Sequence, residues 1–169
     1  MSGAVPLLRL ALYQPDIPQN TGTMLRMCAC FGVAAEIIEP AGFPVSDRAF
    51  RRAGMDYLDE VMINRHDSWR RFEEWRQAAG NPRLVLTTTR GAIPHVDFRF
   101  QPGDIVMVGR ESAGVPEDVH AAADARIVVP IRPGLRSINV AVTAAMVVGE
   151  GLRQLQGFTV PGAPAVVNG

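Results

Sequence analysis

The feature that most constrains this chain is an alternation, sustained along most of its length, of short apolar-rich runs with longer segments of helical period. Leu8–Tyr13, Ala35–Ile38, Leu84–Thr88, Ile105–Val108 and Ile127–Ile131 have the length and near-continuous apolar character of strands buried on both faces. Val61–Ile63 is a weaker run of the same kind. Helical segments lie between them. One opens at Asn20 or Thr21 and stops at Gly32, a short one is capped by Ser46 or Asp47 and ends at Gly54, and a third is capped by Asp67 or Ser68 and runs to Gly80. Trp69, Phe72, Trp75 and Ala79 recur at helical spacing in the third, which predicts a packed stripe. The last helix spans Asn139 to Leu155, with Val140, Ala144, Val147, Val148 and Leu155 as its apolar face. Strands alternating with helices predict an α/β domain, a parallel sheet covered by helices on both faces. Ligands of such sheets sit beyond the carboxyl ends of the strands, which selects the loops beginning at Pro15, Thr87, Gly109 and Pro130.

Composition narrows the chemistry. All 17 basic residues are arginine, so Schiff-base chemistry and a phosphate-loop lysine are excluded together. The formal net charge of zero gives no global basic field, but a nucleic acid needs only a local basic face. Cys28 and Cys30 stand two residues apart on a predicted helix and point to nearly opposite sides, so they neither pair nor share a metal. His66, His95 and His120 are scattered without metal-ligand spacing, and no metal is expected. Met1–Pro6 lacks the basic start and apolar stretch of a signal peptide, and no apolar run reaches membrane-span length, so a cytoplasmic location is expected. At 169 residues, without repeats or a linker, the chain reads as one domain over residues 1–157 followed by a flexible tail over 158–169.

Three loop motifs stand out. Pro18-Gln19-Asn20-Thr21-Gly22 opens a helix that carries Arg26, where helix N–H groups and a guanidinium can act together on a phosphate. Val108-Gly109-Arg110-Glu111-Ser112-Ala113-Gly114-Val115-Pro116 follows a strand and is neither a serine nucleophile elbow nor a dinucleotide fingerprint. Val128-Val129-Pro130-Ile131-Arg132-Pro133-Gly134-Leu135-Arg136-Ser137-Ile138-Asn139 is a constrained loop in which Ser137 or Asn139 caps the last helix. Taken singly, each is also what an ordinary cap or turn would look like.

In this order the three resemble the motifs of the SpoU/TrmH branch of the SPOUT methyltransferases, over about residues 8–156. The stretches Tyr13–Gly22, Ile38-Glu39-Pro40, Arg51–Tyr57 and Thr88-Thr89-Arg90-Gly91 sharpen the resemblance to the YibK/TrmL subgroup. The sequence departs from that pattern at Arg110 (a proline in the subgroup), Ser112 (often threonine), the Pro133-Gly134-Leu135 run before Arg136, and Gly149 (an aromatic residue in some relatives).

The resemblance implies a parallel α/β sheet with a C-terminal trefoil knot, and transfer of a methyl group from S-adenosyl-L-methionine to the ribose 2′-hydroxyl of the tRNA wobble nucleotide, cytidine or modified uridine. A ribosomal RNA ribose or another tRNA position is the alternative target, and a non-catalytic RNA-binding module is the further alternative. It places the cofactor on Thr87, Gly109, Glu111, Val129, Ser137 and Ile138, and the catalytic role on Arg26. RNA contacts are expected at Asn20, Arg48, Arg51, Arg52 and Arg136, with Arg65 a further candidate, around the tRNA anticodon region. The resemblance also implies a homodimer, paired through the last helix, whose active site draws on both subunits.

Overall fold

The computed structural model describes residues 5–90, 92–159 and 162. Seven strands form one parallel sheet among them: β1 (Leu8–Tyr13), β2 (Ala34–Ile38), β3 (Ile63–His66), β4 (Leu84–Thr87), β5 (Ile93–Pro94), β6 (Asp104–Val108) and β7 (Ala125–Val128). The helices are α1 (Pro18–Phe31), α2 (Asp47–Arg52), α3 (Trp69–Ala78), α4 (Glu117–Ala122) and α5 (Val140–Gln154). The strands lie in the order β3-β2-β1-β6-β4-β7-β5. The α/β architecture expected from the alternation is therefore present, with β1 and β6 central and β7 inserted between β4 and β5.

Side chains leave the sheet alternately, and the alternation divides the core. Leu10, Leu12, Ala35, Ile37, Val85, Val106 and Val108 face α1 and α5, where Met24, Leu25, Cys28, Ala144, Val147, Val148 and Leu152 complete one cluster. Ala11, Tyr13, Ile38, Leu84, Leu86, Ile105 and Met107 face the other way, onto Phe72 of α3 and Val119 of α4. Both faces are closed, as continuous apolar strands require.

The structure also corrects several boundaries. α1 begins at Pro18, with Ile17 as an N-cap that makes no side-chain bond, so Asn20 and Thr21 lie inside the first turn. Proline at the first helical position has no N–H to satisfy and a preset φ, which removes the need for a polar cap. The expected stop at Gly32 holds, in the left-handed conformation with φ 67°. Ser46 and Ser68, rather than their aspartate neighbours, cap α2 and α3. The third strand lies at Ile63–His66 instead of Val61–Ile63, because pairing with β2 sets Ala35 opposite Ile63 and Ile38 opposite His66. β7 lies at Ala125–Val128, because β4 sets Val85 opposite Ala125 and Thr87 opposite Ile127. On α3 Phe72 is fully buried and both tryptophans half-buried, but Ala79 is the exposed C-cap. On α5, Val147 and Val148 are wholly buried against the chain's own sheet, and the large exposed apolar residues are Val142 and Met146. Residues 158–169 fall mostly outside the described residues; Phe158 is described, its ring edge-on to Phe31 at 5.5 Å. No described helix is long and apolar enough to cross a membrane.

Candidate active site

A cleft of about 1070 Å³ opens beyond the carboxyl ends of β4, β6 and β7, where the strand order places the loops selected from sequence. Thr87, Gly109, Glu111, Val129, Ser137 and Ile138 all line it, and so does Asn20. The space slightly exceeds the range of pockets that enclose a drug-sized ligand, roughly 300–1,000 Å³.

The loop after β6 is folded tightly. Arg110 N–H donates to Gly114 O at 3.1 Å and Gly114 N–H returns the bond to Arg110 O at 2.8 Å. A Cβ on Gly109 would lie 2.8 Å from the Gly114 carbonyl carbon, so only glycine lets the two backbone segments meet. Gly114 itself has φ +64°, which closes the turn.

The three sequence motifs are joined by one hydrogen-bonded chain. Asn139 caps α5 by accepting from the N–H groups of Ala141 and Val142, and its Nδ2 donates to Asn20 Oδ1 at 3.0 Å. Asn20 Nδ2 donates to Glu111 Oε1 at 3.2 Å. Moving the start of α1 to Pro18 frees the Asn20 amide for this link. Asp16, in the loop after β1, adds a second tie by accepting from Glu111 N–H at 3.2 Å and from the Ser112 hydroxyl.

Asp16 and Glu111 form a polarised carboxyl pair. Interaction with the neighbouring Glu111 side chain, with the hydrogen bonds from the Ser112 hydroxyl and the Glu111 N–H, holds Asp16 at about 2. Burial, then the adjoining Asp16, pushes Glu111 upward, so a proton is favoured on the glutamate side.

Among the described residues, the buried side-chain atoms without a hydrogen-bond partner are Thr21 Oγ1, His95 Nδ1, Arg110 Nε, Glu111 Oε2 and His120 Nε2. The last three belong to residues lining this cleft. Unsatisfied buried polar atoms are rare in folded proteins, and their gathering at one cleft marks where a polar ligand supplies partners. Donors from Arg110 and His120, the free oxygen of the Glu111 carboxyl and the apolar Val129 and Ile138 suit a nucleoside carrying an amino-acid arm.

Residues 7–149 match the SpoU rRNA Methylase family. The chain belongs to this family. As a SpoU methylase it is 67% identical, over 86% of its length and 91% of the relative's, to the tRNA (cytidine(34)-2′-O)-methyltransferase of Beijerinckia indica subsp. indica. It is 41% identical to the protein of that name from Escherichia coli K12, over 88% of this chain and 94% of the other. A solved structure described as giving insights into the 2-OH methylation of C/U34 on tRNA superposes with TM-score 0.81 at 36% identity, covering 92% of this chain and all of that one (100%). The SpoU methyltransferase AviRb from Streptomyces viridochromogenes, in complex with AdoMet, shares the fold with TM-score 0.79 at 24% identity, covering 92% of this chain and 63% of that one.

The arginines expected to serve this SpoU methylase lie elsewhere. Arg26 is exposed on α1 and does not line the cleft of its own chain. Its guanidinium sits over the Tyr57 ring, 5.6 Å from the centroid, and the Tyr57 hydroxyl donates to Gly22 O at 2.8 Å. Tyr57 thereby braces the catalytic candidate against the start of its own helix. Sequence reasoning quoted Tyr57 only within a subgroup stretch; its use as a platform depends on where the segment after α2 returns. Arg48, Arg51, Arg52 and Arg136 are exposed outside the cleft, with Arg51 bonded to Asp59 at 3.1 Å. Arg65 donates to Val45 O. Asp16 and His120 were missed as site residues, and only the Pro15-Asp16-Ile17-Pro18 stretch carried any signal for either.

Proposed function

We infer that this SpoU methylase transfers a methyl group from S-adenosylmethionine to the ribose 2′-hydroxyl of the wobble nucleotide, position 34, of tRNA. The observation that carries the target is the 67% identity, along 86% of the chain, to a protein named for the cytidine-34 reaction. Uridine at the same position is a second substrate, supported by the similarity to the structure concerned with C/U34. The test is methylation of total tRNA by the purified protein, with nucleoside mass spectrometry and mapping of the product. Methylation at position 34 is expected; modification of a ribosomal RNA fragment and of no tRNA would overturn the assignment.

When bound, S-adenosylmethionine supplies an electrophilic methyl carbon on a sulfonium centre. Thr87, Gly109, Glu111, Val129, Ser137 and Ile138 are proposed to hold it, supported by their shared place in the cleft wall. Thr87 spends its hydroxyl on Met107 O at 3.1 Å, which leaves its backbone and methyl group for the cofactor. The ribose hydroxyl must be held at near-attack distance, and it gains charge as its proton departs. Arg26 is assigned to clamp the neighbouring phosphate and stabilise that charge, because a guanidinium holds its proton and makes a poor base. Asn20, Arg48, Arg51, Arg52 and Arg136 are assigned to RNA contact, supported by the exposure of all four arginines.

We further propose a homodimer in which Arg26 serves the partner's cleft. Arg26 lies outside its own cleft, and α1 and α5, packed on one face, carry the exposed apolar residues Phe31, Val142 and Met146. A C-terminal trefoil knot belongs to the same reading. Its support is the insertion of β7, formed late in the sequence, between β4 and β5 instead of at an edge. The working unit is taken as residues 1–157, acting in the cytoplasm alongside tRNA.

A further inference from the structure

Of the three cleft residues with an unpartnered polar atom, His120 is the one whose chemistry is fixed by its neighbours. It lies in α4. Arg126 Nε donates to His120 Nδ1 at 3.2 Å, and Arg126 Nη2 donates to the His120 carbonyl oxygen at 2.6 Å. A guanidinium has five donors and no acceptor, so Nδ1 must present its lone pair. The remaining ring hydrogen is then on Nε2. That atom is buried and has no acceptor among the described residues. A buried donor with neither protein nor solvent to receive it loses its hydration without return, an arrangement that persists where something else supplies the partner.

The position gives the partner its identity. His120 is part of the cleft wall together with Thr87, Gly109 and Val129. Arg126, which sets the tautomer, is on β7, two residues before the strand end that opens onto the cleft. The Arg126 guanidinium occupies Nδ1 and thereby leaves Nε2–H as the one free ring donor of a residue in the cleft wall.

We propose that His120 is a cofactor-recognition residue, its Nε2–H donating to an acceptor atom of S-adenosylmethionine, with Arg126 as the positioning residue that holds the tautomer. This rests on the methyltransferase reading above. Two parts of the cofactor offer acceptors, the adenosine, through its adenine ring nitrogens and ribose oxygens, and the carboxylate of the amino-acid arm. Val129 and Ile138 could flank either one.

The experiment is calorimetric titration of the full-length protein with S-adenosylhomocysteine, and separately with 5′-methylthioadenosine, which lacks the carboxylate. His120→Phe keeps a planar ring without a donor and should weaken S-adenosylhomocysteine binding about tenfold, the usual consequence of losing one neutral hydrogen bond to a ligand. His120→Gln keeps an N–H near the Nε2 position and should recover most of the affinity. A penalty for His120→Phe that persists with 5′-methylthioadenosine assigns the acceptor to the adenosine, and one that vanishes assigns it to the carboxylate. A folded His120→Phe protein that binds S-adenosylhomocysteine within twofold of wild type overturns the proposal. If that variant does not fold, the imidazole ¹⁵N and Hε2 resonances of wild-type His120 decide, since S-adenosylhomocysteine must shift them and unmoved resonances overturn it equally. Failure of the wild-type protein to bind S-adenosylhomocysteine would instead refute the methyltransferase reading, so the two failures are distinguishable.

Discussion

Replacing Gly109 by alanine tests whether the tight loop after β6 builds the cofactor site. The added Cβ would stand 2.8 Å from the Gly114 carbonyl carbon, 2.9 Å from its Cα and 3.2 Å from its oxygen. Carbon atoms rest at roughly 3.5–4.0 Å, so the two segments must separate by about 0.7 Å or more. Neither side can yield by rotating a side chain, because the obstacle is backbone. The reciprocal Arg110–Gly114 hydrogen bonds at 3.1 and 2.8 Å stretch first, and Glu111 moves with them. Inserting one methyl group into a packed site costs about 1–3 kcal/mol. If the loop stays closed, that cost appears as a lower melting temperature. If it relaxes open, the cost appears in S-adenosylhomocysteine affinity, as a loss of about 5- to 150-fold. Calorimetry and thermal denaturation on the same preparation capture both. A variant that melts with wild-type protein and binds within twofold of it would refute the claim that this backbone contact shapes the site.

Four further outcomes are expected. Arg26→Ala should lower the single-turnover rate on saturating tRNA by about 10²–10³-fold while leaving the calorimetric affinity for S-adenosylhomocysteine unchanged, since one electrostatic donor is lost outside the cleft of its own chain. The Asp16–Glu111 pair should leave opposite marks on thermal stability across pH. The depressed Asp16 contributes stability present above its unfolded value near 3.8 and lost as pH falls toward about 2, whereas the raised Glu111 contributes stability present below its unfolded value near 4.5 and lost as pH climbs through its folded one. Glu111→Gln mimics the protonated acid, so it should gain stability relative to wild type between pH 5 and pH 8, and an identical difference in melting temperature at both would count against the upward shift of Glu111. Val148→Asp puts a charge at a fully buried site and should abolish cooperative folding by circular dichroism. Met146→Asp, at a position 43% exposed, should keep the melting transition and yield a monomer by light scattering.

The same helix shows how far an apolar stripe can be read. The period of Val140, Ala144, Val147 and Val148 identified α5 and its length to within one residue at each end. It did not say which neighbour the stripe would cover. Of the apolar face on the helix expected to pair the subunits, Val147 and Val148 are consumed by the chain's own sheet, and the large exposed apolar residues are Val142 and Met146. The site divides in the same way. All six residues expected to hold the cofactor, and Asn20, line one cleft, because strand ends in a parallel sheet converge and the motif loops follow those strands. The roles of Asp16, Tyr57 and His120 were illegible, since the significance of each depends on a partner 31 to 96 residues away or on a ring tautomer set by a neighbouring strand.

Sequence by itself determined the α/β class, five of the strands, the helices α1, α2, α3 and α5, and the loops that carry chemistry. Those follow from periodicity and breakers, which act over a few residues and so are written locally. Tertiary structure decided what required a second segment to be present. Pairing with β2 moved β3 onto Ile63–His66, and pairing with β4 moved β7 onto Ala125–Val128, because ladder hydrogen bonds fix register between strands distant in sequence. The two-residue β5 and the short α4 are too brief to show a period. The chain Asn139–Asn20–Glu111, which joins three motifs into one site, exists only when loops 91 and 119 residues apart meet over the sheet. Local pattern selects the elements; the desolvation of polar groups between them selects how they meet, and that energy is defined only in the folded chain.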